Sequence, residues 1–471
     1  MKAFNRFLIL GLAVLLTACG GEKGNSGKSH DSDYRQETPA DSLSEENYSA
    51  KADIDWVKNA VIYEVNVRQY SPEGDFAGFE KHLPRLKKLG VDILWFMPIH
   101  PIGVKNRKET EESLGSYYAV KDYKGVNPDL GSLEEFKALV GKCHDMGFKV
   151  VLDWVANHSA PDNAWVEEHP DFYTKDEEGN YPIAPVGTDW WDVADLNYDN
   201  PDLRAAMVDA MKFWVDECDI DGFRCDVAGE VPLDFWQETI KELRGMKEIF
   251  MLAEWDDPKM HSCFNATYGW GFHHALMEVG KGHWTLDSLR KQMLDDNARF
   301  TEGAFKLRFT TNHDENTWKG TEESLFGKNT KNFQALIFAA PGMPLMYSGQ
   351  ESVLDKQLEF FEKDEIDWKS YELAPFFKKL DEVREANPAI WGGEWGGSFM
   401  FLGGDSSNGV MAFERSRDNN RIRFIMNCSD SEQDISQYLD DSPNDISLMD
   451  NTVFAGPTLS AHEFIMLEMK D

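Results

Sequence analysis

Gly222-Phe223-Arg224-Cys225-Asp226 is a short apolar run that ends with a cation and a carboxylate. It predicts a buried strand, and because alternate residues of a strand face the same way, Arg224 and Asp226 lie side by side. A cation next to an acid keeps that acid ionised near neutral pH. An ionised, oriented carboxylate is a nucleophile, although a structural ion pair at a strand end is the common alternative for so short a motif.

Three other apolar runs end in acidic residues or histidine in the same way. They are residues 150–153, which lead into Asn157-His158, residues 250–254 and residues 309–314. In a barrel of parallel strands, functional groups gather at the carboxyl ends of the strands. Four runs that end alike therefore favour one shared site over four separate ion pairs.

The chain after residue 55 alternates strand-like and helix-like segments. Helices are predicted over 75–89, after Ser132, where Glu135 completes a capping box, and after Asn200-Pro201. The predicted strands are 61–68, 93–97, 149–154, 222–226, one ending at Glu254, one between 264 and 280, one ending at His313, and 343–347. Eight such repeats predict an α/β fold with a TIM-type (β/α)8 barrel.

Two segments break this alternation. Residues 159–200 are rich in Trp, Tyr, Pro, Asp and Gly and are too long for an ordinary connection after strand three. Residues 391–471 contain short β-prone runs, which predict a C-terminal antiparallel β-sandwich domain. The barrel is therefore expected over residues 55–158 and 201–390, with a small inserted domain at 159–200.

The four runs carry the sequences DWVANH (153–158), GFRCD (222–226), LAEWD (252–256) and FTTNHDEN (309–316). In this order and spacing they resemble the four motifs of the α-amylase family of retaining glycoside hydrolases, over residues 62–351. The resemblance implies a barrel whose insertion, the B domain, forms one wall of a cleft. It also implies cleavage of α-glucosidic bonds.

The resemblance assigns three carboxylates to the chemistry. Asp226 would be the nucleophile, Glu254 the acid/base and Asp314 a third carboxylate that binds sugar hydroxyls. Acetal cleavage needs an acid at the leaving oxygen, and a retaining enzyme holds its nucleophile about 5–5.5 Å from that acid. The apolar strand before Glu254 and the neighbouring Trp255 suit a carboxyl that stays protonated.

Further side chains would support these three. The resemblance implies that His158 and His313 hydrogen-bond to the sugar hydroxyls. It also implies that Arg224 keeps the nucleophile ionised and that Asp153 orients Arg224. A structural histidine is the alternative for each histidine taken alone, and the position of both at strand ends favours the functional role.

An aromatic ring is expected to stack on the sugar in the cleavage subsite, because a pyranose has an apolar face of C–H groups. Within residues 116–123, which resemble the family segment after strand two, counting back from Asp122 favours Tyr118. Tyr117, one residue earlier, is the alternative.

Many members of the family hold a structural Ca²⁺ between barrel and B domain through oxygen ligands. Asn157 and Asp195 match two such positions, whereas Glu230 stands where the family often has histidine. Ordinary hydrogen bonds to the B domain are the alternative for the first two residues. No cofactor is expected for the chemistry itself.

Residues 1–19 have a basic start, an apolar run and the end Leu16-Thr17-Ala18-Cys19. This pattern predicts an export signal peptide that is too short to span a membrane, and its end resembles a bacterial lipobox. Lipidation of Cys19 after cleavage would anchor the protein to the membrane of the bacterial cell envelope, facing the periplasm or the cell surface. Residues 20–54 contain few apolar side chains and predict a flexible linker.

The net charge of −35 disfavours nucleic acid and other polyanions as partners. A neutral α-glucan such as starch, or a maltooligosaccharide, fits this charge. The predicted function is therefore hydrolysis of such substrates, with α-1,4 or α-1,6 preference and endo or exo action left open. A transglycosylase or isomerase resembling trehalose synthase is one alternative. A non-catalytic glycan-binding lipoprotein and a structural envelope protein are the others, and the three carboxylates argue against both.

Overall fold

The computed structural model describes residues 54–108, 112–180, 182–301, 303–440, 445–454 and 456–470. The predicted signal peptide, Cys19 and nearly all of the predicted linker lie outside these ranges. Within them, we find no helix with the length and apolar character needed to cross a bilayer.

Short strands of three to six residues form the barrel at the centre of the molecule, and their apolar side chains belong to its core. In chain order the strands are β1 (Ile62–Val65), β2 (Ile93–Phe96), β3 (Lys149–Trp154), β4 (His158–Ser159), β5 (Ala194–Asp195), β6 (Gly222–Cys225), β7 (Phe250–Ala253), β8 (Ala266–Tyr268), β9 (Phe305–Arg308), β10 (Met343–Tyr347), β11 (Ser398–Leu402), β12 (Val410–Arg417), β13 (Asn420–Asn427), β14 (Gln433–Asp434), β15 (Ile446–Ser447), β16 (Thr452–Val453), β17 (Thr458–Leu459) and β18 (Phe464–Glu468).

Helices follow most of the barrel strands and cover their outer faces. They are α1 (Val67–Tyr70), α2 (Phe76–Glu80), α3 (Leu83–Leu89), α4 (Leu133–Asp145), α5 (Trp165–Glu168), α6 (Pro201–Cys218), α7 (Leu233–Arg244), α8 (Trp270–Gly280), α9 (Leu286–Arg299), α10 (Glu322–Phe326), α11 (Thr330–Ala339) and α12 (Ala374–Ala386).

Eight of the described strands form a closed barrel in the order β1-β2-β3-β6-β7-β8-β9-β10. Neighbours pair in parallel, and the ring closes where Ile62 of β1 lies opposite Leu345 of β10. Inward-pointing side chains such as Trp95 and Leu252 fill the interior, while a second apolar layer lies between the strands and the helices. The predicted (β/α)8 barrel is confirmed, and it brings the carboxyl ends of its strands to one face.

Several element boundaries differ from the prediction. The first strand ends at Val65 because the chain turns into α1, whereas the sequence predicted a strand to Arg68. The predicted helix over 75–89 is two helices, with Pro84 in the first turn of α3. The seventh barrel strand was predicted to end at His313 but leaves the hydrogen-bonded ladder after Arg308.

The two segments that break the alternation also have regular structure. Between β3 and α6, β4, which begins one residue before the predicted insertion, forms a short antiparallel pair with β5 inside it. Toward the carboxyl end, β11-β12-β13-β18-β15-β16 form an antiparallel sheet within the described residues, and β14 pairs with β17. The predicted antiparallel C-terminal domain is thereby confirmed, while its exact boundaries and sandwich form stay predictions.

Candidate active site

The register of the barrel brings Asp226 and Glu254 next to each other. Cys225 at the end of β6 pairs with Ala253 at the end of β7. The next residue of each strand is the carboxylate, and the Glu254 amide donates a hydrogen bond to the Cys225 carbonyl at 3.0 Å. Both side chains therefore extend from the same end of neighbouring strands.

Arg224 connects three carboxylates at the bottom of this face. Its side chain is fully buried, and Nη1 lies 2.9 Å from Asp153 Oδ1 and 3.1 Å from Asp226 Oδ1. Its Nη2 lies 2.6 Å from Glu254 Oε1. One guanidinium thus forms ion pairs with Asp226 and Glu254 at once, and its Nη1 also donates a hydrogen bond to Asp226.

The turn after Asp226 fixes the second oxygen of Glu254. Val227 has φ of +34°, a left-handed conformation that is unfavourable for a β-branched residue. In this conformation its amide donates to Glu254 Oε2 at 2.9 Å. Both oxygens of Glu254 are therefore held by named partners, and the strained residue lies at the site, as strained residues often do.

Burial raises the pKa of both carboxyls in this pair. For Asp226, burial is the main cause of a pKa well above the ordinary value, the charge of Glu254 adds to it, and Arg224 opposes it. For Glu254, burial likewise raises the pKa against Arg224. Once Glu254 takes a proton, its charge no longer acts on Asp226, whereas Arg224 remains in contact with that carboxylate. The pair therefore favours a state in which the two carboxyls hold one proton between them, and the assignment of that proton to Glu254 is the prediction from the family resemblance.

His313 joins Asp314 to the opposite wall of the barrel. Its Nε2 lies 3.3 Å from Asp314 Oδ2 and 2.7 Å from the Tyr118 hydroxyl, and its Nδ1 lies 2.5 Å from Glu64 Oε1. Burial alone would lower the pKa of His313, and Arg224 adds to that, but Asp314 and Glu64 raise it to about 9. His313 is therefore an imidazolium at neutral pH.

His158 has the opposite electrostatic character. It lies on β4, with Nε2 at 3.9 Å from Asp226 Oδ2. Burial lowers its pKa to about 3, so the ring is neutral at neutral pH. The two histidines on either side of the carboxylates thus provide one neutral ring and one charged ring.

Access to solvent increases from Asp226 toward Asp314. The side chains of Asp226 and Glu254 are about one-tenth exposed, whereas that of Asp314 is 37% exposed. The sequence-predicted carboxylates thus lie together at the carboxyl-terminal face of the barrel, with Asp226 and Glu254 nearly buried and Asp314 partly exposed. The catalytic roles of the three carboxylates stay predictions.

Tyr118 and Tyr117 occupy different environments. The Tyr118 hydroxyl donates to Asp153 Oδ2 at 3.2 Å, and its ring stacks on His313 with centroids 5.5 Å apart. The Tyr117 ring lies instead against the Arg68 guanidinium, 3.8 Å from it. Of the two tyrosines, Tyr118 is therefore the one beside the candidate catalytic residues.

Sequence reasoning missed three side chains of the site. Glu64 lies behind His313, Trp95 donates to Asp153 Oδ2 at 3.1 Å, and the Tyr268 hydroxyl accepts from Arg224 Nε at 3.2 Å. Each comes from a barrel strand that carries none of the four motifs. The sequence offered one signal, the charged residue Glu64 within an apolar strand. A charged side chain is almost never fully buried unless it has a partner, so Glu64 indicated a partner inside the barrel.

The predicted calcium ligands lie close together but are few. His158, next to Asn157, pairs with Asp195 across β4 and β5, and the Asn157 carbonyl accepts from the Leu196 amide at 3.1 Å. Across the described ranges, we find no group of three or more His, Cys, Asp or Glu side chains able to hold a metal ion. One carboxylate and one amide are short of the six to eight oxygens that calcium takes. We therefore assign no step to a metal, and calcium binding stays a prediction.

Most of the length of this chain matches the model of one known protein family. Residues 38–400 match the family described as "Alpha amylase, catalytic domain". The chain belongs to the α-amylase family. The match includes every barrel strand and all three carboxylates of the candidate site.

Individual relatives of this α-amylase-family chain have different activities in their names. "Alpha-amylase MalA" of Haloarcula japonica is 29% identical over 350 residues, which are 71% of this chain and 50% of that protein. "Trehalose synthase/amylase TreS" of Mycolicibacterium smegmatis is 32% identical over 221 residues, 40% of this chain and 35% of that protein. The chain thus spans half or less of the length of these two relatives.

A solved structure agrees with the fold over nearly the whole described chain. The crystal structure of an alpha-amylase from Lactobacillus plantarum has a TM-score of 0.79 and 29% identity. The alignment covers 88% of this α-amylase-family chain and 100% of that chain. The family model therefore establishes family membership, and the solved structure supports the fold.

Proposed function

We propose that the chain is a retaining glycoside hydrolase that cleaves α-glucosidic bonds in starch-like polysaccharides or maltooligosaccharides. Family membership supports the reaction class. The observation that carries the proposal is the buried Arg224 guanidinium, which contacts Asp226 and Glu254 at once. Two carboxyls held side by side, one protonated and one ionised, are what a retaining displacement requires.

In the first step, the Glu254 carboxyl donates its proton to the glycosidic oxygen as the bond to the anomeric carbon breaks. Asp226 attacks that carbon and forms a covalent glycosyl ester. Arg224 stays in contact with both groups, so the charge that leaves Asp226 and the charge that appears on Glu254 face the same cation. The electrostatic cost of moving charge between the two carboxyls is therefore small.

In the second step, Glu254 removes a proton from water, and the water oxygen attacks the anomeric carbon. The ester bond to Asp226 breaks, and the sugar leaves with its original anomeric configuration. Asp314 and the two histidines would hold the sugar hydroxyls through both steps. The Tyr118 ring would cover the apolar face of the same sugar.

Product analysis tests the proposal directly. Purified protein is incubated with soluble starch, pullulan, maltotriose and isomaltose, and the products are separated by thin-layer chromatography and mass spectrometry. We expect release of short sugars and at least a ~10⁴-fold lower rate for Asp226→Asn, because the variant lacks the nucleophile. A variant as active as the wild type would contradict the mechanism. The same set of substrates resolves α-1,4 from α-1,6 preference.

An isomerase or transglycosylase is the second candidate, favoured by the similarity to the Mycolicibacterium protein that is named trehalose synthase/amylase. The same covalent intermediate would then pass to a sugar hydroxyl instead of to water. Incubation with maltose separates the two outcomes, since hydrolysis gives glucose and isomerisation gives trehalose. A non-catalytic glycan-binding protein would give neither product.

Export and lipid anchoring at Cys19 form a separate part of the proposal. They rest on the sequence of residues 1–19 and on the lipid that such a cysteine receives in bacteria. We expect the full chain in the membrane fraction of a bacterial host and Cys19→Ala in the soluble fraction. Equal membrane association of both would contradict the anchor.

A further inference from the structure

Lys306 is a buried cation on the outer side of the barrel. It lies on β9 between Phe305 and Leu307, whose side chains belong to the apolar cluster inside the barrel. Because side chains alternate along a strand, Lys306 points outward, toward the helices. The residue is 3% exposed, and a lysine is almost never so buried without a partner.

The partner of Lys306 is Asp256, two residues after Glu254. The Lys306 ammonium lies 2.5 Å from Asp256 Oδ1 and 3.5 Å from the centre of the Phe300 ring. Burial alone would raise the pKa of Asp256, but the charge of Lys306 and the hydrogen bonds from the Gly271 amide and from Lys306 lower it overall. The close pair therefore keeps Asp256 ionised.

Asp256 has two further partners. The Gly271 amide, in the first turn of α8, donates to Asp256 Oδ2 at 3.0 Å. The guanidinium of Arg299, at the end of α9, donates to the Asp256 backbone carbonyl at 3.1 Å. Asp256 is thus joined to β9, α8 and α9 at once, and the contact with Lys306 is the shortest of the three.

A single residue, Trp255, separates Asp256 from Glu254. The Trp255 carbonyl accepts from the Tyr268 amide at 3.2 Å, and a Cβ on Gly229 would lie 2.0 Å from its indole. So short and tightly packed a segment has little freedom to absorb a shift, so a displacement of Asp256 moves Glu254 as well. Misplacing a catalytic group by about 1 Å costs about 10²-fold in rate.

We propose that Lys306 and Asp256 are positioning residues for the Glu254 carboxyl, and that they set how well it donates a proton to the leaving group. The proposal rests on the proposed function, in which Glu254 is the acid. Both residues act through Glu254 rather than on the sugar, since Lys306 lies on the outer side of the barrel. Their removal should therefore weaken proton donation and leave Asp226 in place as the nucleophile.

The test compares two substrates that need the acid to different degrees. In maltotriose, the leaving group is a sugar oxygen, which takes the proton of Glu254. In α-glucosyl fluoride, fluoride leaves as a stable anion without that proton, and the ester with Asp226 forms in the same way. Because kcat/KM reports the steps up to the ester, the ratio of the two kcat/KM values measures proton donation.

Lys306→Met should lower kcat/KM for maltotriose by about 10²-fold and change that for the fluoride by less than about threefold. Asp256→Asn keeps an acceptor for the Gly271 amide, so its loss on maltotriose should be smaller, about tenfold, with the same selectivity. Equal losses on both substrates would mean that the pair supports only the fold, and this would overturn the proposal. Unchanged kcat/KM for both substrates would overturn it as well.

Arg308→Met is the matched control. Arg308 points to the same side of β9 as Lys306, and its Nη1 lies 2.8 Å from Asp296 Oδ2 in an equally buried ion pair. That pair joins β9 to α9 instead of to the segment after Glu254. Arg308→Met should lower the free energy of unfolding in urea and leave the ratio of the two kcat/KM values unchanged. A ratio changed as much as in Lys306→Met would contradict positioning by Lys306.

A double variant covers the case in which Lys306→Met does not fold. That variant leaves the Asp256 carboxylate unpaired in a mostly buried place. Combining Lys306→Met with Asp256→Asn removes both charges, and the same loss on maltotriose with little change on the fluoride is expected. Equal losses on the two substrates would again overturn the proposal.

Crystal structures separate this proposal from the proposed function. If the wild type cleaves neither substrate, the proposed function fails, and the position of Glu254 still tests the pair. A carboxyl displaced by about 0.5 Å or more in Lys306→Met, but not in Arg308→Met, would support positioning by Lys306. A Glu254 carboxyl that stays in place in Lys306→Met would overturn it.

Discussion

Glu64 is a fully buried carboxyl, whose pKa is raised by burial and lowered by His313, and it acts on the site through His313. Its Oε1 contacts His313 Nδ1, while the other ring nitrogen of His313 faces Tyr118 and Asp314. A carboxylate behind an imidazolium fixes the ring orientation and keeps it charged. We therefore expect Glu64 to be a positioning residue whose effect depends on pH.

Glu64→Gln should change the pH dependence of stability. The pKa of His313 is raised to about 9, above its ordinary value of about 6.5. A raised pKa means that the protonated ring stabilises the fold fully below about pH 6.5, and that this contribution is lost as the pH rises through about 9. The difference in Tm between wild type and variant should therefore be largest near pH 6 and shrink by pH 10. Thermal melts at intervals between these values measure it.

The matched control is Glu278→Gln. Glu278 Oε2 lies 3.0 Å from Nδ1 of His283, whose side chain is 64% exposed, so solvent screens the same pair of groups. Its Tm difference from the wild type should be small and flat between pH 6 and pH 10. A difference for Glu64→Gln that is equally flat would contradict the role of Glu64.

At the scale of elements, the turn Ala228–Glu230 connects β6 to α7 and presses against Trp255. A Cβ on Gly229 would lie 2.0 Å from Cε2 of Trp255. No side chain fits there unless the turn or the indole moves. Val227 lies two residues before Gly229, and Glu254 directly precedes Trp255, so a shift of the turn or the indole would move the contact between the Val227 amide and Glu254.

Gly229→Ala should therefore reduce both stability and activity. Overpacking costs about 1–3 kcal/mol, and displacing the Val227 amide from Glu254 should lower kcat for maltotriose by about tenfold or more. Urea unfolding and steady-state kinetics measure the two effects. Gly141→Ala in α4, where nothing lies within 4 Å of the added Cβ, is the control and should stabilise by about 0.5–1 kcal/mol. Full activity of the Gly229 variant would refute the argument.

Sequence patterns predicted elements well where burial is uniform. The strands at 149–154 and 343–347 were predicted with their observed boundaries. Both faces of each strand are covered, so most of its residues are buried and apolar, and the apolar run in the sequence marks the strand. Residues 309–313, Phe-Thr-Thr-Asn-His, are equally buried but lie past the end of β9. Composition does not distinguish a strand from a buried segment that follows it.

The sequence predicted those residues of the candidate site that belong to one of the four motifs. Asp226, Glu254 and Asp314 come from motif resemblance, and the barrel brings their strands to one face. The contact between Arg224 and Glu254 depends on the register of β6 and β7, and the contact between Glu64 and His313 joins β1 to the segment after β9. Such contacts join residues that are far apart in the sequence and form only when the barrel closes, so no local sequence pattern predicts them.

At the scale of the whole molecule, the barrel and the C-terminal sheet share one interface. Asn332 of α11 donates to the Asn427 carbonyl of β13 at 3.0 Å, and the Phe376 and Phe464 rings lie 6.1 Å apart. Arg415 of β12 adds a buried cation at this interface. Its guanidinium donates to the carbonyls of Ala339, Trp391 and Gly397 at 3.0 to 3.3 Å.

Arg415→Met should destabilise the whole protein, because it leaves one buried and two partly buried carbonyls without their donor. An unsatisfied buried carbonyl costs about 1–3 kcal/mol, and the relief from burying a charge offsets part of the sum, so we expect a net loss of about 3 kcal/mol. Arg417→Met is the control, since Arg417 on the same strand bonds two carbonyls at the exposed edge and should lose less than about 1 kcal/mol. A single cooperative melt shifted downward would show that barrel and sheet unfold together, whereas two separate transitions would contradict a shared interface.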